Sequence, residues 1–149
     1  MNHSKVFLAV FVCALVLCCV ATHARAQEGC DFTKFKARYV AHFVERTALN
    51  RAVPTYPDTA KTKGIAGEVQ VAILINKDGQ VERACPLIPA EANPPDSSLV
   101  AAAKLAALQW TFPRNFGFPE NQRIHFDYVK GMLKFRFVSH GSDQKVVVR

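Results

Sequence analysis

Between Glu68 and Asn76 the apolar residues Val69, Val71, Ile73 and Ile75 recur at every second position. That is the period of a strand with one buried face. Asp78-Gly79 supplies the residues of a tight turn, and Val81 opens a second strand. Upstream, Tyr56-Pro57 sets a helix start, because proline is best tolerated in the first helical turn, where its missing N–H costs nothing. Gly64 and Gly67 stop that helix. Residues 54–81 therefore predict a short helix, a strand and a turn around which the rest of the chain is organised.

The second strand soon meets Pro86 and Pro89, which cannot donate to a ladder, so it is predicted to be short or to lie at an edge. Residues 86–98 form a turn-rich loop. Asp96, Ser97 or Ser98 then caps a helix running to about Trp110, with Leu99, Ala102, Ala103, Ala106 and Trp110 on one face. Small alanines on that face let the helix sit close to a sheet, Trp110 covers the sheet end, and Phe112-Pro113 closes the helix. After a loop over 114–122, alternation returns from Arg123 to Val138. Ile124, Phe126 and Tyr128 are followed by Leu133, Phe135 and Phe137, and the parity changes across Lys130-Gly131. A glycine inside a strand commonly marks a bulge, which predicts one long bulged strand, with a hairpin as the alternative. Residues 139–149, polar and ending in KVVVR, are expected to form a frayed, flexible tail.

From Asp31 to Asn50 the spacing of Phe32, Phe35, Tyr39 and Phe43 fits one stripe of a helix with Asp31 as N-cap. Residues 27–51 are thus predicted as an N-terminal helical extension, docked on the domain as a lid or serving as a partner-binding helix. Residues 1–26 stand apart. Lys5 precedes an apolar run from Val6 to Ala21, and Ala24-Arg25-Ala26 is a small-x-small site directly before Gln27, the order of a secretory signal peptide. The run is short for a membrane span, which needs about 20 apolar residues. Cleavage after Ala26 and export to the periplasm are expected. The alternatives are an uncleaved anchor in the inner membrane, the one case with membrane contact, and a lipoprotein modified at Cys18 or Cys19, for which Leu17 and Cys18 make a poor lipobox.

Cleavage leaves residues 27–149, enough for one domain with a modest core. The signal carries Lys5 and Arg25 and no acids, so 17 basic residues then face 12 acidic ones, a mild +5. With no run of five or more basic residues this reads as a solvated surface and not as a nucleic-acid footprint. Of the five cysteines only Cys30 and Cys85 remain, which in an exported chain suggests one disulfide, two unpaired thiols being the alternative.

No catalytic, cofactor or metal site is expected, and the chain is read as a non-enzyme. His42, His125 and His140 show no metal-ligand spacing. A Cys85/His125 nucleophile pair is conceivable, but a disulfide would consume the thiol. Asp78 and Asp96 are explained by turn and cap roles.

Several motifs in order resemble the C-terminal domain of TonB-type energy transducers. The YP-x-x-A helix is carried by Tyr56, Pro57 and Ala60, the following strand by Gly67, Val69, Val71 and Ile75, and the DG-x-V turn by Asp78, Gly79 and Val81. The second helix matches at Leu99, Ala103, Ala106, Trp110 and Phe112, and the closing G-x-L-x-F-x-F strand at Gly131, Leu133, Phe135 and Phe137. The resemblance covers about residues 52–138. It implies an α+β domain: a small antiparallel sheet of about three strands with two helices packed on one face, here with the extra N-terminal helix. It also implies binding of an envelope protein, such as an outer-membrane transporter's periplasmic segment, by strand addition, since a sheet edge offers unpaired N–H and C=O groups. The final strand is the expected edge, with Arg123, Ile124, His125, Phe126, Asp127 and Tyr128 presenting backbone to the partner. Pairing of two copies through sheet edges is a further expectation. Residues 27–51 contain no proline and reach only about 3.5 Å per residue even fully extended, too short for the transducers' periplasm-crossing spacer. The sequence therefore reads as a periplasmic binding module, with a membrane-anchored component of a TonB-type energy-transducing transport system as the alternative.

Overall fold

The computed structural model describes residues 30–40, 43–88, 94–121, 124–140 and 143–148. Residues 1–26, read above as a signal peptide, and His42, Pro89 and Arg123 lie outside the described residues. The chain divides into two compact units, residues 1–31 and 32–149. Of the first only Cys30 and Asp31 are described, and the fold below is that of the second.

The alternating stretch forms strand β2, Gly67–Asn76, with Val69, Val71, Ile73 and Ile75 fully buried as their spacing predicts. It is preceded by helix α2, Asp58–Thr62, and followed by β3, Val81–Leu87. The turn between the strands needs Gly79. Its φ is +80°, and its carbonyl accepts from Phe112 N at 2.7 Å. β3 pairs antiparallel with β2 from Gln70↔Leu87 to Ile75↔Val81, with a bulge at Leu74/Ile75. Helix α3, Ser97–Leu108, is capped by Asp96, whose carboxylate accepts from Ser98 N at 2.9 Å. Leu99, Ala103, Ala106 and Ala107 are buried against the sheet, and beyond the helix Trp110 is buried with its indole Nε1 donating to Ala52 O at 2.9 Å. The order helix, strand, strand, helix, strand is as predicted.

Three expectations are corrected. The final strand, β4, begins at Tyr128 and runs to His140 without the predicted bulge, pairing antiparallel with β2 from Asn76↔Tyr128 to Gly67↔Phe137. Val129, Gly131, Leu133, Phe135 and Phe137 are buried on one face in strict alternation. The parity change disappears because Ile124–Asp127 precede the strand. Gly131 serves a close approach, since a Cβ there would lie 2.0 Å from Val44 Cγ2. The N-terminal helical extension is replaced by strand β1, Ala37–Tyr39, and a five-residue helix α1, Phe43–Thr47. Phe35 is drawn out of any helical stripe by its own partners, the Tyr128 ring at 5.1 Å and the Arg83 guanidinium over its face at 5.1 Å. The tail also pairs: Asp143–Val148 is β5, antiparallel to β4.

The result is an α+β fold whose sheet is mixed and, among the described residues, has five strands, in the order β1-β4-β2-β3 with β5 also on β4. β1 runs parallel to β4 and the other pairs are antiparallel. The sheet is thus larger than the three antiparallel strands expected. The first and last of the five strands, β1 and β5, both pair with β4. Cys30 and Cys85 are both disulfide-bonded, in line with the sequence expectation. Among the described residues no helix is long and apolar enough to cross a membrane.

Candidate docking edges of the sheet

The edge of a sheet is the feature that can take up another chain, so the pairing of each strand defines the site. The expected edge at 123–128 is not a free edge. Ile124–Asp127 are outside the strands, and Tyr128 pairs with Asn76 of β2 on one side and with Ala37 of β1 on the other. Asp127 N donates to Lys36 O at 3.0 Å, and its carboxylate accepts from Lys77 Nζ at 2.9 Å. That bond holds the Asp127 carboxyl below the usual aspartate range. Phe126 turns towards the Phe116 ring at 5.3 Å, with the Arg38 guanidinium over it at 5.9 Å. Of this group His125 and Asp127 are exposed to solvent. Partial burial, reinforced by the neighbouring Glu82 carboxylate, pushes the Tyr128 phenol up.

β3 ends the sheet on one side. Its outer edge is blunted at the start, where Thr111 bridges Gln80 and Asn50, and near the end by Pro86, which has no N–H to offer. Leu87 and Ile88 follow and are exposed.

On the other side β4 is flanked by two short strands. β1 pairs over Ala37↔Tyr128 to Tyr39↔Lys130, extended by Val40 N donating to Lys130 O at 3.2 Å. β5 pairs over Phe135↔Val148 to His140↔Asp143. Among the described residues Gly131–Lys134 have no strand on that side. Among the described residues β5 pairs with β4 alone. Its Val146 and Val148 are only partly buried against the core, and Gln144 Nε2 donates to Lys61 O at 3.4 Å. β4 also outruns β2, whose first pair is Gly67↔Phe137. An open groove of about 780 Å³ lies there, lined by Gly67, Glu68, Arg136, Ser139, His140 and Val147 among others.

The motif residues serve the scaffold. Tyr56 donates its hydroxyl to Ile65 O and sets its ring edge-on to Phe137 at 5.4 Å. Trp110 stands edge-on to Phe135 at 6.4 Å and beside Phe112 at 6.3 Å. Leu99 packs at Gly67, where a Cβ would be in ordinary contact at 3.8 Å. Pro57 precedes α2 with φ −65° and Asp78 anchors Arg114 at 3.3 Å. Of these, Gly67 and Phe137 also line the open groove. Cys85, being disulfide-bonded, has no thiol to pair with His125 as a nucleophile. The pairing elements missed by sequence reasoning are β1 and β5. For β5 a signal was present in the three consecutive β-branched residues Val146–Val148.

A family model described as Gram-negative bacterial TonB protein C-terminal matches residues 52–137. No curated protein and no solved structure matched the chain.

Proposed function

Because the chain belongs to the TonB C-terminal family over residues 52–137, we propose that it binds an envelope or outer-membrane transport protein by taking an extended segment of that partner into its sheet. The family match carries the first half of this reading: domains of this kind are protein-interaction modules of envelope transport. The physical chemistry of the sheet supports the second half. A strand at the margin of a sheet leaves one row of N–H and C=O groups unpaired, and main-chain bonds to an incoming strand supply affinity while alternate side chains supply selectivity. The β4 side is where the sheet grows by short additions, and it is the side assigned to the partner. The β3 side is disfavoured by Pro86 and the Thr111 bridge.

In this reading cleavage after Ala26 releases the module into the periplasm, the chain performs no catalysis, and it uses no cofactor or nucleic acid. Anchoring through an uncleaved apolar run, Val6–Ala21, is the competing arrangement. Mass measurement of the N-terminus in the native cell separates the two.

The test of function is site-specific crosslinking in intact cells. A photoreactive residue at Ser139 or Lys145 should capture an outer-membrane or other envelope transport protein, and one at the exposed Lys104 on α3 should not. Capture at Lys104 alone moves the contact to the helical face. Capture of a second copy at Ser139 and Lys145 replaces the transporter with a homodimer through sheet edges.

A further inference from the structure

β5 occupies the side of β4 that the functional reading gives to the partner. It covers Phe135–His140, half the length of the strand. Its position in the chain is informative. The family match ends at Phe137 and the scaffold of β2, β3, β4, α2 and α3 is complete without β5, which begins six residues later at Asp143. Its hold is also light. Val69, Val71 and Ile73 of β2 are wholly buried, whereas the valines of β5 are only partly so, and β5 has one strand neighbour where β2 has two. In register, Val148 and Val146 lie opposite the buried Phe135 and Phe137, while Lys145 and Asp143 lie opposite Val138 and His140.

We propose that β5 is an intramolecular stand-in for the partner strand, which lifts away from Phe135–His140 when the partner adds to the same edge. The inference rests on the strand-addition reading above. It names the kind of segment selected: extended, antiparallel to β4, and carrying β-branched side chains at the two alternate positions that face Phe135 and Phe137. It also makes binding a competition. The apparent affinity for any such segment is lowered by the fraction of molecules in which β5 is seated.

The probe is a synthetic peptide copying residues 143–149, titrated by fluorescence anisotropy against the whole chain. Val147→Pro removes an N–H and breaks the β5 ladder, so the peptide should bind about tenfold or more tightly than to wild type. A cysteine pair at the opposed positions, Val138→Cys with Lys145→Cys, staples β5 when oxidised. The stapled form should lose the peptide and recover it on reduction, while wild type in the same reductant is unchanged. If Val147→Pro does not fold, the staple carries the test alone. Binding to the stapled form as tight as to wild type overturns the stand-in role and leaves strand addition, at another edge, in place. Binding to no form, reduced or proline-substituted, removes addition to this edge and the inference with it.

Discussion

Gly131 offers the sharpest test of how the N-terminal segment is seated. An ideal Cβ there would lie 2.0 Å from Val44 Cγ2, 3.3 Å from Val44 Cβ and 3.6 Å from Ile73 Cγ1. Non-bonded carbons rest at about 3.5–4.0 Å, so Gly131→Ala forces Val44 back by about 1.5 Å or more. Two things resist that retreat. Val44 is β-branched and stiff at χ1, and α1 is tied on both sides, by Val40 N to Lys130 O and by Leu49 N to Thr111 O at 2.8 Å. Overpacking of this kind should cost about 1–3 kcal/mol.

Val44→Ala alone removes two buried methyl groups, at about 0.8 kcal/mol each before any cavity contribution. Combined with Gly131→Ala it makes room for the new methyl, so the double variant should lose less than the sum of the singles, with a coupling of about 1–2 kcal/mol. Urea unfolding followed by the single tryptophan, Trp110, reads all four corners of the cycle. Two results refute the reasoning. Either Gly131→Ala unfolds at the wild-type midpoint, or the two substitutions add within about 0.5 kcal/mol. Either one means that Val44 does not rest on Gly131 in solution.

Trp110→Ala should cost about 3–5 kcal/mol, since the ring is buried against Phe112 and Phe135, and a far-UV melt at the wild-type temperature would remove it from the core. Gly79→Ala adds a left-handed backbone penalty of about 1–2 kcal/mol to a Cβ placed 2.0 Å from Phe112 O. It should therefore destabilise more than Gly131→Ala, and the reverse ranking in melting temperature would contradict it. In acid, Asp96 and Asp127 set the direction. Hydrogen bonds from Ser98 and from Lys77, respectively, hold the two carboxyls below their unfolded values. Their stabilisation is therefore present above the unfolded aspartate pKa and fades as pH falls through the folded values, below about pH 4. Lys77→Ala should flatten the Asp127 part of this acid loss, and salt should weaken it because both partners are half exposed. An acid limb identical to wild type in low salt counts against that pair.

What was legible in the sequence is what short-range chemistry dictates. Val69 to Ile75 declare a strand by period, the run Asp96-Ser97-Ser98 declares a cap without saying which of the three supplies it, and Trp110 declares a core anchor by bulk. The N-terminal segment misled because Phe32, Phe35, Tyr39 and Phe43 satisfy a helical stripe while obeying other forces. Phe35 N donates to Phe32 O in a turn, the Phe35 ring meets Tyr128 edge-on, and Ala37–Tyr39 extend along β4. A strand of three residues has too few positions for a period to appear. Ile124, Phe126 and Tyr128 misled in the opposite sense: their alternation is real, yet only Tyr128 enters the strand.

Whether a strand is an edge is decided by residues far from it in the chain, which is why the candidate site was harder to read than the scaffold. β4 carries the closing family motif, and everything from residue 52 to 137 would leave its outer side bare. The flanking strands that cover it differ in how firmly they do so. β1 is fastened by tertiary contacts on either side of its ladder: Phe35 on Tyr128, Lys36 O accepting from Asp127 N, Arg38 over Phe126, and Val40 N on Lys130 O. β5 has its ladder, two half-buried valines and the amide of Gln144 on Lys61 O. A competing strand must replace what it displaces. Main-chain bonds are returned in kind by any extended segment, so the cost of exchange falls mainly on side-chain contacts, which are many for β1 and few for β5. The same edge therefore contains one fixed strand and one replaceable strand, and a partner that enters by strand addition has its lowest-cost entry at Phe135–His140, twelve residues beyond the edge expected at 123–128.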